Sequence, residues 1–147
     1  MKCDYHATEH LHDPLAPDLA IARRAPVCVL ISAPREKAWE TARQIAGGRG
    51  SALSCIDCDA VDEDDTAGLL REHVGGRGDS GIVFLKEVQL LSRANQRLLD
   101  ELICSGGHAV KRPRLIASSS LSLYERMQAG LFEDGLFYKL NAVHLKP

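Results

Sequence analysis

Short unbroken apolar runs separated by helical stripes set the expectations for this chain. Val27 to Ile31 is consecutive, β-branched and apolar, which predicts a strand. Ile82 to Leu85 repeats that pattern behind Gly81, and such runs suit strands buried on both faces of a parallel sheet. Ala52 to Asp57, Leu115 to Ala117 and Ala142 to Leu145 read as three more strands. Between them the period changes to that of a helix. Pro17 to Arg24 makes a short helix, and Ala38, Trp39, Ala42, Ile45 and Ala46 make another that stops at Gly47-Gly48. The acidic run Asp62 to Asp65 reads as a solvated helix start, favoured by the macrodipole, with the helix running to His73. Ser92 offers an N-cap to the stripe Leu91, Leu98, Leu99 and Leu102, and Gly106-Gly107 ends it. Ser122-Leu-Tyr-Glu125 has the capping-box pattern and opens a helix that stops at Gly130, with a further turn at Leu136 to Leu140. Five strands alternating with helices predict a three-layer α/β/α domain around a parallel sheet.

Composition narrows this little. A chain of 147 residues predicts one domain with a real core. We expect residues 1–14 to be a flexible tail and residues 15–147 to be the domain. A net charge of −2 gives no overall attraction to nucleic acid, and an aromatic share of 5% disfavours a base-stacking platform. No apolar run reaches membrane-spanning length and no signal pattern opens the chain, so a cytoplasmic protein is expected.

Several side-chain groups suggest chemistry and are better read plainly. Cys3, His6, His10 and His12 fit no closed zinc spacing, so no metal is expected there. Cys55-Ile-Asp-Cys58 lacks a second pair, and small buried hydrophobes are the expected reading over a redox or metal role. Lys111-Arg112-Pro-Arg114 neutralises too few phosphates to hold nucleic acid by itself. The informative place is the end of the Ile82–Leu85 strand, where Lys86 and Glu87 arrive together at an edge that usually carries ligands.

Three segments carry a resemblance to a family. Gly81-Ile-Val-Phe-Leu-Lys-Glu-Val is similar to the GTLFLDEI strand of the AAA+ central domain of sigma-54-dependent transcriptional activators (bacterial enhancer-binding proteins). Arg114-Leu-Ile-Ala-Ser-Ser-Ser resembles their RIIAATN sensor strand. The span 130–145 lines up without gaps on GRFREDLYYRLNVVPL. The resemblance implies a P-loop NTPase-like core with a five-stranded parallel sheet, and with no helical lid before Pro147.

Its departures shape the expected function. The Walker A position, Ala33, Pro34, Arg35, Glu36 and Lys37, holds no glycine, so its backbone cannot wrap phosphates, and no hydroxyl follows Lys37 to hold magnesium. At Walker B, Lys86 stands where the family keeps a metal-binding aspartate, and an ammonium repels Mg²⁺. Glu87 is a remnant of the residue that orients water. Lys86 is expected to neutralise Glu87 or Glu36; in the other reading it replaces the cation and holds a nucleotide without hydrolysis. Ser119 and Ser120 replace the sensor threonine and asparagine, and Glu133 and Lys139 fall at the family's basic intersubunit positions. The family's GAFTGA loop, which grips sigma-54, has no counterpart, since only residues 74–82 bridge that gap.

The expected protein is therefore not an enzyme. It is a non-catalytic domain that binds another protein, an AAA+ activator subunit being the candidate, in transcriptional regulation or signalling. It needs no cofactor, metal, membrane or direct nucleic-acid contact, and weak ATP or ADP binding stays open, as does its oligomeric state. The alternative is an ATP-binding sigma-54 interaction module, or a fragment of a larger regulator. A pocket is expected at the carboxyl edge of the sheet, narrowed by Pro34, Arg35 and Lys86 and holding at most a solvent anion.

Overall fold

A computed structural model describes residues 16–24, 28–47, 53–60, 62–75, 81–104 and 113–147. The elements in chain order are α1 (Ala16–Arg24), β1 (Val29–Ser32), α2 (Arg35–Ala46), β2 (Leu53–Asp57), α3 (Glu63–His73) and β3 (Ile82–Lys86). A 3₁₀ turn (Val88–Leu90), α4 (Arg93–Cys104), β4 (Arg114–Ser119), α5 (Leu123–Gln128), α6 (Asp134–Leu140) and β5 (Val143–Leu145) follow. The strands form one five-stranded sheet in the order β2-β3-β4-β1-β5, and every pairing is parallel. The five strands read from the sequence are thus all present. β4 lies at the centre, and β3 is an inner strand flanked by β2 and β4.

Strand residues alternate between faces, so an unbroken apolar run must be covered twice. Leu30, Val83, Leu85, Leu115 and Ala117 join Leu70, Leu99, Leu123, Leu136 and Leu140 in one core, beneath α3, α4, α5 and α6. Val29, Ile31, Phe84 and Ile116 point the other way and pack with Ala22, Ala38, Ala42 and Ile45 of α1 and α2. The apolar runs are continuous because helices cover both faces.

Local signals place the ends of the helices. The Asp62 side chain accepts from Asp65 N at 2.9 Å, so the acidic run is a capped, solvated helix start. Ser92 caps α4 by accepting from Asn95 N, and Ser122 caps α5 by accepting from Glu125 N. Gly47 ends α2 at φ 63°, a left-handed conformation that glycine adopts without steric cost.

Two boundaries differ from expectation. Helix α2 starts at Arg35, three residues before the apolar stripe begins, so Arg35, Glu36 and Lys37 form its first turn rather than a loop. A 3₁₀ turn separates β3 from α4, and Leu91 lies ahead of the helix. The expected tail and its Cys3 and histidines lie outside the described residues, as do Lys111, Arg112, Gly48, Gly106 and Gly107.

Candidate functional site

The carboxyl edge of the sheet gathers most of the residues singled out from the sequence. Only Ala33 and Pro34 separate β1 from α2. Ala33 N donates to Ser119 O at 3.2 Å, extending the ladder with β4, and Pro34 has no N–H to offer. Pro34 is the N-cap of α2 and supplies no side-chain cap. The turn itself therefore presents no free backbone donor. Glu36 and Lys37 are exposed on the first helical turn.

Arg35 is drawn sideways along this edge. Its guanidinium pairs with Asp57 Oδ2 at 2.5 Å and with Asp59 Oδ2 at 3.4 Å. Asp57 ends β2, three places from β1 in the sheet, so the arginine ties the start of α2 to the far strand. Asp59 N donates to Asp57 Oδ1 at 3.0 Å and closes the cluster. The hydrogen bond to Asp57 raises the Arg35 pKa, and Glu87 and Asp59 add smaller attractions.

Lys86 does not meet the partner expected for it. Among the described residues no ion pair joins it to Glu87 or Glu36. Its ammonium instead lies 4.8 Å from the centroid of the Trp39 ring. Lys86 shares a strand face with Phe84, whose ring stacks on Trp39 at 5.8 Å between centroids. The lysine follows that face toward α2, away from Glu87.

Glu87 is 6% exposed and held by neutral donors. Its carboxylate accepts from Ser120 N at 3.1 Å, Ser120 Oγ at 2.7 Å and Gln89 Nε2 at 2.9 Å. Its own N–H donates to Ser118 Oγ at 3.3 Å. Glu87 is also the one non-glycine residue at positive φ among the described residues, at φ 57° and ψ 52°. Ser119 turns locally, its hydroxyl donating to Leu121 O at 2.6 Å. Ser118, Gln89, Asp57 and Asp59 were not singled out from the sequence. Long-range pairing of polar residues leaves no periodic trace.

The two candidate interface positions lie elsewhere, along the seam between α4 and α6. Glu133 pairs with Arg97 Nε at 3.0 Å and Arg93 Nη1 at 3.4 Å, and the Arg97 hydrogen bond holds its carboxyl below the usual range. Lys139 pairs with Asp100 and donates to Cys104 Sγ at 2.8 Å. Both charges are engaged within the chain. Of the Cys55–Cys58 pair, Cys58 is buried, as read from the sequence, and Cys55 is exposed. Among the described residues no group of three His, Cys, Asp or Glu could hold a metal ion. No described helix is long and apolar enough to cross a membrane.

A cleft of about 640 Å³ does open at this edge, but it is displaced from the expected pocket. Pro34 lines it, together with Ser32, Ser120, Tyr138 and His144, whereas Arg35 and Lys86 do not. Arg35 leans toward β2 and Lys86 toward Trp39, which leaves the open space on the β5 side. Ser32 Oγ and His144 Nε2 lie 2.6 Å apart there. Burial, then the nearby Lys146, lowers the His144 pKa, so the imidazole is neutral at pH 7.

A family profile described as the Sigma-54 interaction domain matches residues 12–146. Among solved structures, NtrX from Brucella abortus in complex with ATP superposes with a TM-score of 0.70 at 18% identity, over 90% of this chain and 35% of NtrX. The P-loop NTPase domain of a sigma-54 activator from E. coli gives a TM-score of 0.65 at 18% identity, over 88% of this chain and 89% of that domain. The RuvB Holliday junction branch migration motor of Thermotoga maritima gives 0.61 at 18% identity, over 95% of this chain and 44% of RuvB. The chain thus spans about a third of NtrX. No curated protein sequence matches significantly.

Proposed function

The chain belongs to the Sigma-54 interaction domain family, and from that premise we propose that it is a non-catalytic member acting by protein–protein contact in transcriptional regulation. The observation that carries the reading is the Arg35 guanidinium held by Asp57 and Asp59 across the carboxyl edge. A phosphate cradle needs successive free N–H groups and a cation aimed at the phosphates. Here Ala33 and Pro34 offer no free donor, the first-turn N–H groups of α2 share their end with the Glu36 carboxylate, and the nearest cation is drawn to the tip of β2. A magnesium site needs hard oxygen ligands. Position 86 instead carries an ammonium stacked on Trp39. Glu87 faces Ser120 and Gln89, with no clamped phosphate to act on.

The partner proposed is a subunit of an active AAA+ activator, in the cytoplasm. Ring assemblies join unlike faces of neighbouring subunits, so one member without catalytic residues can silence the site it helps to form. The test is isothermal titration with ATP and with ADP, each with and without Mg²⁺. No saturable heat is expected from any of them. Binding that tightens with Mg²⁺ would end the non-catalytic reading. Co-purification with a sigma-54 activator subunit, and a fall in that subunit's ATP turnover as this chain is added, tests the partner.

A further inference from the structure

The displaced cleft has a chemistry of its own. It lies where the tips of β1, β4 and β5 meet α5 and α6. Three of the six large exposed apolar side chains among the described residues line it: Leu121 and Tyr124 at 50% exposure and Tyr138 at 66%. Phe137 gathers the two tyrosines, with ring centroids 6.0 Å from Tyr124 and 5.3 Å from Tyr138. Such a concentration of exposed apolar surface around one concavity marks a contact site. Its charge is one-sided. Among the described lining residues there is no carboxylate, and Lys146 is the one fixed cation. The His144 ring, neutral and bound to Ser32, adds polarity without charge. At the wall, Asn141 Oδ1 is buried without a hydrogen-bond partner, an acceptor that a backbone N–H can satisfy once the amide turns.

We propose that this cleft docks a short extended segment of a partner protein, one bearing an acidic side chain beside an aromatic or leucine side chain. Lys146 takes the carboxylate, the Leu121–Tyr124–Tyr138 rim takes the apolar group, and the Asn141 amide takes a main-chain donor. The size fits a segment rather than a folded surface, since cavities of about 300–1,000 Å³ hold a small ligand or a few side chains. Leu121, Tyr124 and Tyr138 are exposed at the opening while Leu30, Leu123 and Phe137 behind them are buried, which suits side chains carried on a backbone passing over the cleft. This inference rests on the protein-binding reading above and specifies the kind of partner.

The experiment pans a phage library of random dodecapeptides against the full chain. A fluorescein-labelled peptide with the enriched sequence is then titrated by fluorescence polarisation. Enriched sequences are expected to place Asp or Glu within two positions of Phe, Tyr, Trp or Leu. Lys146→Glu and Tyr138→Ser are each expected to weaken binding at least tenfold. Exchanging the peptide's acid for lysine is expected to restore affinity for Lys146→Glu. Glu101→Lys, a charge reversal at an exposed position of α4 outside the cleft, should change nothing. All three positions are exposed, so circular dichroism should show unchanged folding. Failure to enrich any peptide, or binding that ignores both Lys146→Glu and Tyr138→Ser, overturns the proposal. A small molecule that binds the cleft while no peptide does overturns it equally. Such a failure leaves the wider reading standing if nucleotide still gives no heat and the activator subunit is still captured. Mg²⁺-dependent nucleotide binding defeats the wider reading whatever the peptides do.

Discussion

Replacing Glu87 separates a structural carboxylate from one poised for catalysis. Glu87→Ala removes an acceptor reached by three donors, Ser120 N, Ser120 Oγ and Gln89 Nε2. Hydrogen bonds to charged groups contribute about 1.5–3 kcal/mol each, though not additively. Ser120 is exposed, so its hydroxyl can turn to water. Gln89 is buried, and its Nε2 would keep only a long hydrogen bond, 3.4 Å, to Ser120 Oγ. The charge leaves with the side chain and its partners are neutral, so the cost is that of buried donors left poorly satisfied, about 1–3 kcal/mol. Small domains typically have about 5–15 kcal/mol in total, so the loss is a large part of the whole. The backbone gives an internal control. Glu87 sits at φ 57°, where a residue with a Cβ is strained by about 1–2 kcal/mol and glycine is not. Glu87→Gly loses the same hydrogen bonds and relieves the strain, so it should be more stable than Glu87→Ala by about 1 kcal/mol. Both differences can be read from urea denaturation at pH 7 and 25 °C. The reasoning fails if Glu87→Ala unfolds with the unchanged protein's midpoint, or if Glu87→Gly is the weaker of the two.

Lys86→Met tests whether the lysine rests on Trp39 or neutralises a carboxylate: loss of the ring contact should cost about 0.5–1 kcal/mol in the same assay. A cost of about 3–5 kcal/mol would mean that a buried acid had lost its counter-ion. Arg35→Ala breaks an ion pair that is open to solvent, so it should lower the melting temperature in low salt and make little difference in about 1 M NaCl, where screening reaches about 3 Å. A deficit that persists undiminished in high salt would show that Arg35 acts by packing. Burial pushes the Cys58 thiol up to about 12, against 9.0 for the free group. The unfolded chain therefore loses this proton first, so the Cys58 contribution is constant below about pH 9 and stability falls as pH rises from about 9 to about 12. Native Cys58 should resist iodoacetamide at pH 8 and react once urea is added, read by peptide mass spectrometry; fast labelling of the native thiol would contradict its burial.

Much of this architecture was legible because two-sided burial writes itself into the sequence as continuous apolar runs. Val29 to Ile31 and Val83 to Leu85 are almost wholly buried, and both were found. Caps at Ser92 and Ser122 were visible because a side chain bonds an amide three residues on, within one local pattern, whereas the acidic run at Asp62 marked a helix start by its charge alone. The start of α2 was not visible. Arg35, Glu36 and Lys37 carry no apolar side chain, so periodicity begins at Ala38 and the first turn passes for a loop. The partner of Lys86 was misjudged for a geometric reason: strand alternation aims it with Phe84 at the α2 face, so adjacency in sequence to Glu87 brings no contact. Arg35 and Asp57 stand 22 residues apart and meet only because β2 is placed at the far side of the sheet, a fact of topology that no local window contains.

The charges at the carboxyl edge fit together better than any of them does alone. Asp57, Asp59 and Glu87 bring three carboxylates to the tips of β2 and β3, and like charges so placed repel unless cations balance them. A P-loop enzyme supplies that balance with magnesium and a lysine held by its ligand, so its edge is settled when nucleotide is present. Here Arg35 comes from the start of α2, and Lys86 stands in register with Asp57 on the neighbouring strand. The balance is built into the chain and does not wait for a ligand. An aspartate at position 86 would add a fourth carboxylate beside Asp57 while giving up the Trp39 ring, with nothing nearby to offset it. Lysine at 86 and arginine at 35 are therefore best understood together, as the two cations set among the carboxylates at the tips of β2 and β3.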